Sequence, residues 1–144
     1  MSKRSLLSLA SKMCDPLGMI SPFTVRAKIL FHDLWLKGLH WDDPLDSGIK
    51  AKWLSWKSEL LQVKYVSVPR CFGSGIKQDS ALEVHGFGDS SLKAYGAAVY
   101  IRTRDKQDHV TSQLVISNST VASIKTVSLT RLERLAAFVN ANLL

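Results

Sequence analysis

The sequence predicts an α+β protein in which helices come first, three consecutive antiparallel strands follow and one helix closes the chain. Two observations carry the helices. Ser21-Pro22 opens a run in which Phe23, Ala27, Leu30, Leu34 and Trp35 recur at three- and four-residue spacing, and Leu132, Leu135, Ala136, Val139 and Leu143 repeat that spacing near the end. The third observation carries the sheet. Between residues 82 and 117 the apolar residues fall into short runs separated by polar turns, the signature of strands joined by hairpins.

Taken in order, residues 4–14 hold a short apolar pattern (Leu6, Leu7, Leu9, Ala10, Met13) that stops at Asp15-Pro16-Leu17-Gly18. Proline bars helical geometry from the residue before it, and glycine accepts the turn that follows. In the next helix Ser21 is the expected N-cap, Pro22 the first helical residue and Gly38 the stop. The loop Trp41 to Gly48 leads to a third helix, capped by Asp46 or Ser47, with Ile49, Trp53, Trp56 and Leu60 as its buried stripe. Tyr65, Val66 and Val68 suggest a short strand, and Arg70 to Ala81 reads as a linker.

Leu82, Val84 and Phe87 lead to a turn over Gly88 to Lys93, and Ala94 to Ile101 forms a second strand. A hairpin loop at Thr103 to Asp108 precedes a third strand from His109 to Ser117, with Val110, Leu114 and Ile116 as its apolar positions. Asn118 to Ser128 is polar and irregular, and the last helix runs from about Arg131 to Leu144. The expected organisation is therefore a helical region over 1–70, a linker over 71–81 and a strand-rich unit over 82–144.

Composition narrows the function classes. A length of 144 residues suits one ordinary domain. Nineteen Lys and Arg against twelve Asp and Glu give a net charge of +7, and residues 1–70 hold eleven basic against six acidic side chains. That bias fits a nucleic-acid backbone as partner. Arg26, Lys28, Lys50, Lys52, Lys57 and Lys64 are the candidate contacts, although a solvated helix face is the plainer fate of such residues. Cys14 and Cys71 make neither a disulfide framework nor a zinc site, which points to a reducing, cytoplasmic or nuclear setting. No apolar run approaches the about 18 residues of a membrane span, so no membrane partner is expected.

Two carboxylates stand out in the second half. Asp89 sits where the first strand gives way to its turn, and Glu133 lies near the start of the last helix. A strand-end aspartate and a helix glutamate converge on a divalent-metal site if the helix packs across the sheet. Each has a structural alternative. Asp89 suits a turn residue bonded to local backbone, and Thr130-Arg131-Leu132-Glu133 has the form of a capping box. The four histidines show no zinc spacing, and Ser90 and Ser91 have no histidine base placed to activate them. Asp46-Ser47-Gly48 has the form of the aspartic peptidase loop. It lacks a β context and a second copy to share the proton, so a helix cap is the better account.

Several stretches occur in an order that identifies a family. They are Asp15-Pro16-Leu17-Gly18 with Ser21-Pro22, Arg26-Ala27-Lys28, Leu34-Trp35, Trp41-Asp42 and Val68-Pro69-Arg70. The second half adds His85-Gly86-Phe87-Gly88-Asp89-Ser90-Ser91, Ala94-Tyr95-Gly96-Ala97 and Leu129-Thr130-Arg131-Leu132-Glu133. The pattern resembles the polyprotein of BEL/Pao-type LTR retrotransposons, in the segment catalogued as the Pao retrotransposon peptidase, or A17, family. The resemblance implies the end of reverse transcriptase followed by the opening of RNase H. Residues 1–65 would then be thumb- or connection-like helices, and residues 82–144 a truncated RNase H-like unit of three antiparallel strands and one helix. Asp89 and Glu133 would correspond to the first two metal-binding carboxylates, with Mg²⁺ or Mn²⁺ as the parent domain's cofactor and RNA–DNA hybrid as its substrate.

The sequence departs from that family's pattern where a serine or threonine usually precedes the first aspartate, a position held here by Gly88, and where Arg134 replaces the usual leucine after the glutamate. Two further RNase H aspartates are expected beyond Leu144, and a fourth strand would pair beside the first. On this reading the isolated chain binds no metal productively and is no enzyme, and its partners are nucleic acid and the remainder of the polyprotein. The alternatives are a basic, non-catalytic nucleic-acid- or protein-binding module, and the aspartic peptidase of the family's name.

Overall fold

A computed structural model of the chain describes residues 2–69 and 81–144. Four helices and three strands follow in the order α1 (Lys3–Ala10), α2 (Ser21–Leu36), α3 (Ser47–Val63), β1 (Ala81–Ser90), β2 (Ala94–Arg104), β3 (Val110–Val121) and α4 (Leu129–Leu143). The fold is α+β, as the sequence predicts. The linker expected over 71–81, and Cys71 with it, lies outside the described residues except for Ala81, which opens β1.

The helices form one core. Leu6 of α1, Ala27, Leu30 and Leu34 of α2, and Ile49, Trp53 and Trp56 of α3 are buried together. Trp56 stacks between Phe23 and Trp53, with ring centroids 4.8 Å away on each side, and its indole N–H donates to the Phe23 carbonyl at 3.0 Å. A buried indole keeps its stability only when that N–H finds an acceptor, and the first turn of α2 supplies it. Lys3 is buried beside this core. Its ammonium lies 3.3 Å from the Trp35 ring centre, near Phe31 and Trp41, and donates to the Leu39 carbonyl at 3.2 Å. Aromatic faces and a carbonyl together replace the water that a buried ammonium gives up.

Caps decide the helix ends. Asp46 accepts the Ile49 N–H at 2.7 Å and starts α3, while Gly38 at φ +66° follows the end of α2. In α2 the N-cap is Ile20, so Ser21 is the first helical residue rather than the cap. Residues 66–69 are irregular instead of a strand: Tyr65, Val66 and Val68 have no pairing partner among the described residues, and side chains of that type do not make a strand alone.

The strands form a meander in the order β1-β2-β3, antiparallel throughout. β1 continues through Ser90, and β3 runs on to Val121, past the expected stop at Ser117. The register slips by one residue beside Val99/Tyr100, so Val99 faces Ile116 while Tyr100 faces Leu114. This bulge places Leu114 and Ile116 on opposite faces, although their spacing alone puts them on one. α4 covers one face of the sheet, burying Ala97, Val99, Leu132 and Ala136.

The helical layer meets the sheet through the loop before α2. The Ser117 N–H donates to the Leu17 carbonyl at 2.9 Å, and its hydroxyl donates to the Gly18 carbonyl at 2.5 Å. Gly18 has φ +69°, and a Cβ there would lie 1.9 Å from the Ser117 carbonyl oxygen. Lys28 adds a bond from its ammonium to the Ser119 carbonyl at 3.0 Å. Asp15-Pro16-Leu17-Gly18 is thus more than a helix stop; it docks the outer edge of β3.

Candidate functional site

The open face of the sheet and the N-terminal turn of α2 enclose a cleft of about 530 Å³. Phe87 and Asp89 of β1, Gly96 and Ala98 of β2, Ser117 and Ser119 of β3, and Pro22 and Val25 of α2 are among the residues that line it. Small side chains across the middle of the sheet leave this hollow. Phe87 and Asp89 stand at its side because alternate residues of a strand share a face.

Asp89 is exposed, and its Oδ1 accepts the Ser90 N–H at 2.7 Å. One oxygen is committed to local backbone, as a turn-type reading requires, and Oδ2 remains open. Glu133 is exposed in α4. The capping-box alternative for it does not form: Ser128 holds the N-cap position without a side-chain cap bond and α4 begins at Leu129, which puts Thr130 inside the helix and Glu133 beyond reach of the cap amide. The Glu133 side chain has no hydrogen bond or ion pair among the described residues.

The glycines of β1 place α4 over the strand. A Cβ on Gly86 would meet the Asn140 side chain, and one on Gly88 would lie 3.0 Å from the Ala136 carbonyl oxygen. Ala136 therefore lies over Gly88 and Asn140 over Gly86, so the turn of α4 holding Glu133 reaches the end of β1 where Asp89 stands. Glu133 lies on the same flank of the helix as Ala137 and Asn140, the flank that overhangs β1. Asp89 projects from the opposite face of the sheet. The two carboxylates thus stand on either side of the outer edge of β1, at one end of the strand. Among the described residues no group of three or more His, Cys, Asp or Glu could hold a metal ion. The described residues do not assemble the ligand set of a two-ion centre.

The six basic candidates do not gather on one surface. Arg26 is committed to Glu59 through both guanidinium arms, at 2.5 and 2.9 Å, and its hydrogen bonds hold the Glu59 carboxyl below the ordinary range. Lys28 is bound to the Ser119 carbonyl. Lys52 lines a hollow with Arg26 between α2 and α3. Lys50, Lys57 and Lys64 lie on the other flank of α3, all exposed. Asp46, the aspartate of the peptidase-like triplet, caps α3 with one oxygen and pairs with Lys37 through the other. Its carboxyl is held below the usual range by Lys37 first and the Ile49 N–H second. A carboxylate tied to an ammonium and a helix amide is not one that shares a proton with a second aspartate.

The match to known proteins follows the fold just described. A family model described as Pao retrotransposon-like RNaseH-like domain matches residues 2–144. The chain belongs to this family. Membership covers the helices as well as the sheet, so the docking of Leu17 and Gly18 onto β3 lies inside one family unit. No curated protein and no solved structure matches the chain. RNase H-like domains in general work with divalent metal and nucleic acid, and no described helix is long and apolar enough to cross a membrane.

Sequence reasoning missed Ser117, Lys3 and the glycine pair of β1. Gly86 and Gly88 carried a signal, since alternate glycines inside a strand mark close approach of another backbone. Lys3 and Ser117 carried none, because their partners lie 36 and 99 residues away.

Proposed function

We infer that this chain serves the RNA–DNA-hybrid-handling part of a retrotransposon polyprotein, with the end of β1 as the pole that meets the nucleic acid and no hydrolysis by the chain alone. The observation that supports it is that Asp89 and the turn of α4 holding Glu133 lie at the same end of β1, in a chain whose family is RNase H-like. Asp89 through Oδ2 and Glu133 would hold one Mg²⁺ or Mn²⁺, which when bound offers a Lewis acid to a phosphate oxygen. The chain's own contribution is positional. β1 fixes Asp89 through the Ser90 amide, and the glycines of β1 bring α4 close enough to present Glu133. With two carboxylates only, the arrangement binds rather than cleaves. The division into a helical region over 1–70 and an RNase H-like unit over 82–144 belongs to the same proposal.

The test is a Mn²⁺ titration of the purified chain, read by paramagnetic broadening of amide signals, beside a hybrid-cleavage assay. Broadening is expected around residues 89–91 and 130–134, removed by Asp89→Asn and by Glu133→Gln, with no cleavage. Broadening elsewhere refutes the site. Cleavage sensitive to Asp89→Asn refutes the claim of inactivity.

A further inference from the structure

α3 carries a second pattern that the helical core does not use. Ile49, Trp53 and Trp56 face inward. On the outward side Leu54 is 46% exposed and Leu61 71% exposed, seven residues apart, and Tyr65 beyond the helix end is 77% exposed. With Ala51 and Ser58 between them, these positions alternate by three and four, the spacing of a coiled-coil seam. Lys50, Lys57 and Lys64 run along one flank of the seam, about 10.5 Å apart along the axis at a rise of about 1.5 Å per residue. None has a carboxylate partner among the described residues. The acidic groups nearest in sequence, Asp46 and Glu59, are paired with Lys37 and Arg26.

We propose that this face docks an acidic amphipathic helix of another protein, whose apolar seam covers Leu54 and Leu61 and whose carboxylates align with Lys50, Lys57 and Lys64. Charge selects this occupant. A second copy of the chain would bring another net charge of +7 and a second lysine row. A nucleic-acid backbone would satisfy the lysines but leave both leucines in water. A helix with glutamates beside its seam answers both features, because flanking charges set partner choice where the seam itself is permissive. The surface lies apart from Asp89 and Glu133, and the proposal does not depend on hybrid handling.

The experiment titrates the full chain into two labelled helical peptides, read by fluorescence anisotropy. The peptides share one leucine seam and carry either glutamate or lysine at the flanking positions. Saturable 1:1 binding is expected for the glutamate peptide alone. Lys50→Glu/Lys57→Glu/Lys64→Glu is expected to weaken it about tenfold, since three exposed pairs turn from attraction to repulsion, and to create binding of the lysine peptide. Leu54→Ser/Leu61→Ser is expected to weaken the glutamate peptide as well. Both sets lie on the surface, and unchanged circular dichroism verifies the fold. Equal binding of the two peptides, or none, overturns the proposal. So does binding that needs the lysines but ignores the leucines, which would mark a phosphate-binding surface instead. Hybrid binding with Asp89→Asn is scored separately, so either reading can fail while the other stands.

Discussion

Replacing Gly18 with alanine is expected to separate the helical layer from the sheet. Two costs combine. The left-handed conformation at φ +69° penalises a side chain by about 1–2 kcal/mol. The new Cβ would also sit 1.9 Å from the Ser117 carbonyl oxygen, a backbone atom that cannot swing aside, so the loop must lift off β3. Lifting it breaks the bonds from the Ser117 amide and hydroxyl to Leu17 and Gly18. Each such bond contributes about 0.5–1.5 kcal/mol net. The total is about 2–5 kcal/mol.

Gly38→Ala is the matched control. It has nearly the same backbone geometry, φ +66°, but no atom within 4 Å of the added Cβ, so it should cost only the conformational penalty of about 1–2 kcal/mol. Urea denaturation gives both values. All four tryptophans lie in residues 35–56, so their fluorescence follows the helical layer, and amide exchange at Ser117 follows the joint itself. In Gly18→Ala the Ser117 amide should exchange faster while the amides of β2 keep their protection. If Gly18→Ala costs no more than Gly38→Ala, the loop does not hold the two layers together.

Other expected outcomes follow from single contacts. Trp56→Ala should cost about 3–5 kcal/mol by denaturant unfolding, because it empties the stack between Phe23 and Trp53. Lys3→Met should cost about 1–2 kcal/mol and alter tryptophan emission, since it removes the cation over Trp35 and the bond to Leu39. The depressed Asp46 carboxyl sets a pH dependence. Its stabilisation is complete above the ordinary aspartate value of about 4 and fades as the pH falls through the lower folded-state value. A thermal melt series from pH 6 to pH 2 should therefore show a smaller acid loss in Asp46→Asn than in the parent chain, each relative to its own value at pH 6.

How far the sequence could be read follows from the range of the interactions. Ile49, Trp53 and Trp56 sit together because a 3.6-residue period puts them together, and periodicity is visible in any string. The strands were legible in order but not in extent. The bulge opposite Val99 depends on how β3 pairs with β2. Asn118, Ser119 and Thr120 likewise stay in the ladder because β2 offers Ala97, Gly96 and Tyr95 as partners. Tyr65 and Val66 failed in the opposite sense, having strand-like side chains and no neighbour to pair with among the described residues. At the site, local spacing marked Asp89 and Glu133, but the false capping box arose from placing the start of α4 two residues late. The split of the six basic residues was hidden for a different reason: Glu59 and the Ser119 carbonyl reach Arg26 and Lys28 from 33 and 91 residues away.

The glycine before Asp89 ties the fold to the site. The family resemblance puts a serine or threonine there, which makes Gly88 look like a lapse in the motif. The structure assigns it a mechanical reason. α4 crosses so close that a Cβ at Gly88 would stand 3.0 Å from the Ala136 carbonyl oxygen, tighter than an ordinary contact with rigid backbone. Gly88→Ser should therefore push α4 away, cost about 1–3 kcal/mol as overpacking and carry Glu133 outward with the helix. If β1 and α4 together position the carboxylates, Gly88→Ser should weaken Mn²⁺ broadening near residue 133 more than near residue 89, because Asp89 stays fixed on its strand. Unchanged broadening at both positions would show that the approach of α4 to Gly88 has no part in placing Glu133.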